Sequence, residues 1–391
     1  MKRAAGILLV VLIVLVLSVG CGTTSNSASA KAEESTKDIQ IGLAGPMTGD
    51  SAIWGQSALK AAQLAVDDFN AQGGVNGRKV VIVSEDDKGD PKEAATVAQK
   101  FINNKDIVAV FGHLFSGTAL TAGPLYQKVG IPYMVVVASN PKIANIGNYV
   151  FRVSINDSIF AKKIAEYVVL KMGLKNIGII YDNHDLGVSV KNVFSETAKN
   201  NGAVIAGIET YISGQDRDFS IQLTNLGKTN PDGIMLASYS TEGALIVQQA
   251  KQLGIKTQFV GYDGLDDPNF LNLAKDAAEG TVIGTLFNRD IQDPVAKAFV
   301  EKYEKKYNEQ IFSCVPYAYD GMLTILDALK RSKSIDRKDL RDALDQTNSA
   351  NLTGVTGKIT FDENRDRSAA WIVMLQVKEG KFTVKEIYKE E

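Results

Sequence analysis

The chain has 391 residues, enough for about two or three domains with an ample apolar core. Its 43 Lys and Arg nearly balance 45 Asp and Glu, so no strong field favours nucleic acid or an anionic surface, and a small neutral or zwitterionic partner fits better. Two Cys (Cys21, Cys314) and two His (His113, His184) leave little material for a metal centre or a disulfide framework, and neither is expected.

At the N-terminus "MKR" is followed by the apolar stretch "AAGILLVVLIVLVLSVG" and then by Cys21, the construction of a secretory signal over residues 1–20. A retained membrane anchor is the competing reading, but the apolar run is shorter than the roughly 20 residues a spanning helix needs. "LSVGC" is similar to the lipobox of bacterial lipoproteins, with Ser18 in place of the commoner Leu. That resemblance implies a lipidated Cys21 at the start of the mature chain. Residues 21–37 then read as a flexible spacer, because "GTTSNSASAKAEESTK" is rich in Ser, Thr, Ala and charge and has no apolar period. Folding is expected to begin near Asp38, with Cys314 as a small buried hydrophobe lacking a partner.

From Asp38 onward short β-branched runs alternate with longer segments of helical period, which predicts an α/β protein with largely parallel sheets. The predicted strands are "IQIGLAG", "KVVIVSED", "DIVAVFG", "IPYMVVV", "NIGIIYD", "VIAGIETY", "DGIMLAS", "QFVGYDG" and "TVIGTLF". Between the first two, Leu59, Ala62, Val66 and Phe69 recur at helical spacing before Gly73 and Gly74. "DSIFAKKIAEYVVLKMG" predicts a helix capped by Asp157 or Ser158. The number of strands exceeds one comfortable sheet, and "YVFRVSINDS" reads as the break between two doubly wound halves. The C-terminal part turns helical and closes in "GKITFDENRDRSAAWIVMLQVKEGKFTVKEIY", read as hairpin strands. Two lobes joined by a hinge are expected: 38–157 plus 287–362, and 158–286 plus 363–391.

In open parallel sheets ligands bind beyond the carboxyl ends of the strands, and the motifs there are informative. No P-loop, G-x-G-x-x-G or G-x-S-x-G sequence occurs in the required context. His113 and Ser116 in "FGHLFSGT" suggest a base and a nucleophile, but nothing in the sequence identifies a third group to orient them. The same loop suits an anion: Ser116, Gly117 and Thr118 can offer hydroxyls and backbone N–H groups to a carboxylate. Pro124 leaves the start of the following helix undetermined, and a Ser cap with no ligand is the competing explanation. Ser139 adds a hydroxyl after the next strand, and Asp263 in "GYDGLDD" offers a carboxylate to an ammonium. Trp54 and Tyr239 can cover an aliphatic side chain or simply pack. His184 ends a strand of the second half, and either solvent or the cleft is open to it.

With these residues in place the chain resembles the branched-chain amino-acid (Leu/Ile/Val) substrate-binding proteins of ABC transporters, in the type I periplasmic binding protein family. The carriers are "IGLAGPMTG", "WGQSALKAAQLAVDDFNAQGGVNGRKV", "DDKGDPKEAATVAQKFI", "GHLFSGTALTAGPLYQKVGIPYMV", "KTQFVGYDG" and "DAAEGT". The resemblance implies two doubly wound lobes that close on a ligand as a Venus flytrap, with no enzyme activity and no cofactor. It implies carboxylate contacts at Ser116 and Ser139 with backbone help near Gly117 and Thr118. The ammonium falls to a backbone carbonyl of Val137 or Ala138, the Ser139 hydroxyl and Asp263, with Trp54 and Tyr239 flanking the side chain; Glu242 lies near that wall and reads as a helix-start residue. Leu186 stands where leucine-binding relatives carry an aromatic residue, Asp263 where some carry Glu, and Lys88 and Phe115 where some carry a disulfide. The partners implied are an amino acid, ABC permease subunits and the membrane through the lipid anchor, for a monomer at the outer face of the cell membrane, or in the periplasm of an organism with an outer membrane. A sensor of the same fold reporting to a membrane receptor is the alternative.

Overall fold

The computed structural model describes residues 37–368 and 370–389. The signal segment, Cys21 and most of the spacer lie outside the described residues. The first half is built from β1 (Ile39–Gly45), α1 (Ala52–Ala71), β2 (Val80–Asp86), α2 (Pro91–Asn103), β3 (Ile107–Gly112), α3 (Ser116–Val129), β4 (Tyr133–Val135) and β5 (Val150–Arg152). The five strands form one parallel sheet in the order β2-β1-β3-β4-β5. β3 is buried at every position, which is why "IVAVFG" is continuously apolar where a half-exposed strand would alternate.

The chain then supplies α4 (Asp157–Glu166), β6 (Asn176–Asp182), α5 (Asp185–Asn200), β7 (Val204–Tyr211), α6 (Ser220–Gly227), β8 (Gly233–Ala237), α7 (Ser240–Gln252), β9 (Gln258–Gly261), α8 (Pro268–Ala274) and β10 (Val282–Thr285). It continues through α9 (Pro294–Tyr307), α10 (Cys314–Arg331), α11 (Arg337–Asp345) and α12 (Thr347–Ala350), the short pair β11 (Thr353–Gly354) and β12 (Gly357–Lys358), and finally β13 (Trp371–Lys378) and β14 (Lys381–Lys389). The second sheet runs β14-β13-β10-β9-β8-β6-β7. Only its C-terminal hairpin is antiparallel.

Local chemistry explains the helix starts. Asp90 accepts from the Lys92 and Glu93 N–H groups with Pro91 at the first position of α2, and Asp293 does the same for Val295 and Ala296 with Pro294 in α9; such caps stabilise a helix by about 1 kcal/mol. α4 is capped by Asn156, whose side chain accepts from the Ser158 N–H, not by Asp157 or Ser158. Asp157 turns inward and is fully buried. On α1, Ala58, Ala61, Ala62 and Ala65 are buried, and these small side chains let α10 lie close. Gly321 of α10 faces the first sheet, where a Cβ would sit 3.0 Å from the Phe111 ring.

The segment "YVFRVSINDS" is more than a break, since Val150–Arg152 is the edge strand β5 of the first sheet. The chain passes between sheets three times: after β5, after β10 and before β13. Buried charges secure these passages. Arg152 Nε donates to Asp366 Oδ1 at 2.9 Å and its Nη1 to the carbonyls of Ala138 and Asn140; Arg367 donates to the carbonyls of Val153, Thr356 and Lys358. Arg365, Asp366 and Arg367, assigned from the sequence to the second lobe, therefore lie against the end of the first sheet. The last passage falls between Arg367 and Trp371.

Candidate functional site

At the end of β3 two residues with positive φ, Gly112 (110°) and His113 (43°), turn the chain. A Cβ on Gly112 would lie 2.2 Å from the Ala44 carbonyl, so only glycine fits beside β1. The His113 ring is fully buried, with Nδ1 at 2.9 Å from Asp87 Oδ2 and Nε2 at 2.8 Å from the Tyr126 hydroxyl. Asp87 is the orienting carboxylate that the sequence did not reveal. The imidazole is nonetheless committed to Tyr126, while Ser116 Oγ accepts from the Asn140 N–H at 3.3 Å, so no base–nucleophile pair forms.

α3 begins at Ser116 and runs through Pro124, with no side chain capping its first turn. The first-turn N–H groups of a helix have no intrahelical acceptor, and here they point the dipole's positive end at the site. Because Ser116 Oγ is an acceptor toward Asn140, its own proton is left for a ligand. Ser116, Val137, Ala138, Ser139, Leu186, Tyr239, Asp263 and Trp54 line one small enclosure of about 20 Å³, together with Leu114, Phe115 and Gly264. Gly117 and Thr118 are not among its walls. A Cβ on Gly117 would be 3.4 Å from Pro91 and 3.5 Å from Asp185, and the Thr118 hydroxyl donates to the Phe115 carbonyl at 2.8 Å.

The enclosure is polar at one end and apolar at the other. Burial raises the pKa of Asp263 well above the usual carboxylate range, and the nearby carboxylates of Asp157 and Asp266 push it the same way. A cation is what this group lacks. The Ala138 carbonyl already accepts from Arg152 at 3.1 Å, which leaves Val137 better suited than Ala138 to receive an ammonium. Leu114, Val137 and Leu186 supply aliphatic walls, and the Phe115 ring lies 4.6 Å from that of Tyr239 and 6.1 Å from that of Trp54.

Trp54, Phe115 and Tyr239 also border an outer cleft of about 420 Å³ that includes Lys88, His184, Arg217 and Glu242. His184 precedes α5, and its N–H donates to Asp182 Oδ1 at 2.9 Å. Glu242, in the first turn of α7, is buried and accepts from the Gly214 N–H at 3.0 Å. A larger cavity of about 530 Å³ between α1 and α10 is a poorer candidate, because its charged groups already have partners: Lys302 pairs with Asp68, Asp327 with Arg331, and Lys330 sits over the Phe69 ring. Among the described residues no group of three or more His, Cys, Asp or Glu is placed to hold a metal ion.

A family model described as periplasmic binding protein matches residues 38–381. The chain belongs to that family. Within it, the chain groups with the family of branched-chain amino acid ABC transporter substrate-binding proteins. It is 32% identical over 330 residues to the leucine-specific-binding protein of Salmonella typhimurium, covering 84% of this chain and 88% of the relative. It is 30% identical to the Leu/Ile/Val-binding protein of Escherichia coli, with 84% and 88% covered. Among solved structures, the branched-chain amino acid transporter substrate-binding protein LivJ from Streptococcus pneumoniae, in complex with isoleucine, has a TM-score of 0.84 at 30% identity, covering 90% of this chain and 100% of that one. A leucine-binding protein from Thermotoga maritima has a TM-score of 0.83 at 29% identity, covering 89% and 98%. These relatives are binding proteins rather than enzymes, and the two-lobed α/β fold of this chain is theirs.

Sequence reasoning passed over Phe115, noted only as the place of a cysteine in relatives, although it directly precedes Ser116 on the site loop. It also passed over Asp267, which accepts from Trp54 Nε1 at 3.1 Å. No motif marks that pairing, since 213 residues separate its members.

Proposed function

We propose that this protein captures a branched-chain or closely related aliphatic amino acid outside the cytoplasm and delivers it to an ABC importer. The observation that carries the proposal is one enclosure holding both the Ser116 and Ser139 positions and the buried Asp263. Hydroxyls and the start of α3 suit a carboxylate; Asp263 and the Val137 carbonyl suit an ammonium. Leu114, Val137, Leu186, Trp54 and Tyr239 receive the side chain once lobe opening widens the enclosure, which at about 20 Å³ has room for little more than one water. Leu186, where an aromatic residue stands in leucine-binding relatives, gives that wall a different shape and makes it the position to vary in tests of selectivity.

The first lobe carries Ser116, Ser139 and Trp54, and the second carries Leu186, Tyr239 and Asp263. The ligand docks by its carboxylate on the first lobe, and closure of the second around the three passages brings Asp263 to the ammonium. A permease reading the closed form then distinguishes loaded from empty protein. The lobes are 38–157 with 287–367 and 158–286 with 370–389, and lipidated Cys21 with the spacer to residue 37 tethers a monomer to the outer face of the membrane. Calorimetry with a panel of amino acids, preceded by mass spectrometry of any ligand released on denaturation, tests the proposal. Saturable binding of leucine, isoleucine or valine is expected; binding of no amino acid, amide or small carboxylate overturns it.

A further inference from the structure

We infer that Asp267 is a positioning residue of this cleft, holding the Trp54 indole against the ligand enclosure when the lobes are closed. The inference rests on the binding reading above and goes beyond it. Trp54 belongs to α1 on the first lobe, and Asp267 immediately precedes α8 on the second. The bond from Nε1 to Oδ2, 3.1 Å long, joins a tryptophan that is 4% exposed to an aspartate that is fully buried.

Both ends of this bond are aimed by their own lobes. Asp267 Oδ1 accepts from the Asn269 N–H at 2.7 Å as the cap of α8, so the carboxylate plane is set by that helix and the second oxygen faces α1. The indole stands edge-on to Phe312 at 5.1 Å and to Phe115 at 6.1 Å. Ring contacts of this kind restrain the plane of an aromatic side chain but tolerate sliding, whereas the single N–H donor of an indole must point at its acceptor. The other donors to this carboxylate, the Ser240 hydroxyl and the Asn269 N–H, belong to its own lobe, whereas separating the lobes removes the indole from it. The bond is therefore available only in the closed arrangement, and forming it sets how far Trp54 advances over Leu186, Tyr239 and Asp263, with which it shares the enclosure. Asp266, next in the chain, is occupied elsewhere by the Thr285 hydroxyl, so it does not substitute.

The test uses the full chain with Trp371→Phe, which leaves Trp54 as the sole tryptophan of the 2 present. Asp267→Ser keeps a capping hydroxyl for α8 but shortens the reach to α1, Trp54→Phe keeps a ring but no donor, and Asp267→Asn keeps one acceptor oxygen where two are used. Calorimetry with L-leucine and L-isoleucine on the unsubstituted chain decides the binding reading by itself. If either binds, Asp267→Ser and Trp54→Phe are each expected to weaken it about five- to thirtyfold, the double variant no further than the weaker single, and Asp267→Asn, whose single acceptor oxygen cannot both cap α8 and receive the indole, is expected to weaken it as well. Losses that multiply in the double variant, or an Asp267→Ser chain that binds as the parent does, overturn the inference. Should neither amino acid bind, acrylamide quenching of Trp54 in the same background still decides it: stronger quenching in Asp267→Ser than in the parent is expected, and equal quenching overturns it.

Discussion

Ser116 and His113 lie three residues apart and do different work. Ser116 Oγ accepts from Asn140, and in the proposed site its proton is the one directed to the ligand. Ser116→Ala is expected to weaken amino-acid binding by about 1–3 kcal/mol, the cost of a buried carboxylate losing a donor, with little change in unfolding free energy; calorimetry and urea titration read the two effects. His113→Ala should give the opposite pattern. It strips both Asp87 and Tyr126 of a buried partner, so a stability loss on the order of 2–4 kcal/mol is expected, while the ligand-facing groups stay in place. Equal losses of affinity in both variants would place His113 in the site after all.

At the scale of elements, the site depends on how tightly helix starts fit strand ends. Gly187, in the first turn of α5, packs so closely on β6 that a Cβ would lie 2.2 Å from the Asp182 carbonyl and 2.8 Å from its Oδ1. Gly187→Ala must push the start of α5 away from the strand, carrying with it Leu186 and the Asp185 carbonyl, which accepts from Asn140 Nδ2 at 3.0 Å. The expected outcome is weakened ligand binding together with a lower melting temperature, read by calorimetry and thermal denaturation. An alanine variant that binds and melts as the parent does would mean that α5 is free to adjust. α3 shows the converse. It accommodates Pro124 within its span, although proline lacks the N–H that an interior position supplies.

For the whole molecule, the places where the chain passes between sheets hold buried charge that tunes stability with pH. Asp266 receives the hydroxyl of Thr285, the last residue of β10, and burial, with Asp267 adding in the same direction, lifts its pKa to about 7. A carboxyl whose pKa is higher folded than unfolded binds more protons in the native state between about pH 4 and 7. Its contribution therefore falls as pH rises through that window and is flat above it. Asp266→Asn, which retains an acceptor for Thr285, should gain stability over the parent progressively from pH 5 to pH 8, by on the order of 1–4 kcal/mol at the upper end. Thermal denaturation of both proteins across that range checks this, and a constant difference between them would show that Asp266 stays charged throughout.

The α/β class, nine of the strands with the C-terminal hairpin, and the loops that border the cleft were legible in the sequence, because buried strands are continuous apolar runs and ligand loops follow strand ends. Ser116, Ser139, Leu186, Tyr239, Trp54 and Asp263 come from such loops or from the start of the helix that follows one. β5 was not legible, since Arg152 ends its short apolar run, nor was the Asn156 cap one residue before Asp157 and Ser158, which looked more suitable. Asp87 behind His113, Asp267 behind Trp54 and Arg152 on the Ala138 carbonyl were invisible for a different reason. Local runs and turn residues are set by neighbours in the chain, and the sequence by itself determined those. Which donor meets which buried acceptor depends on segments brought together from far apart in the chain, and only the tertiary structure decided that.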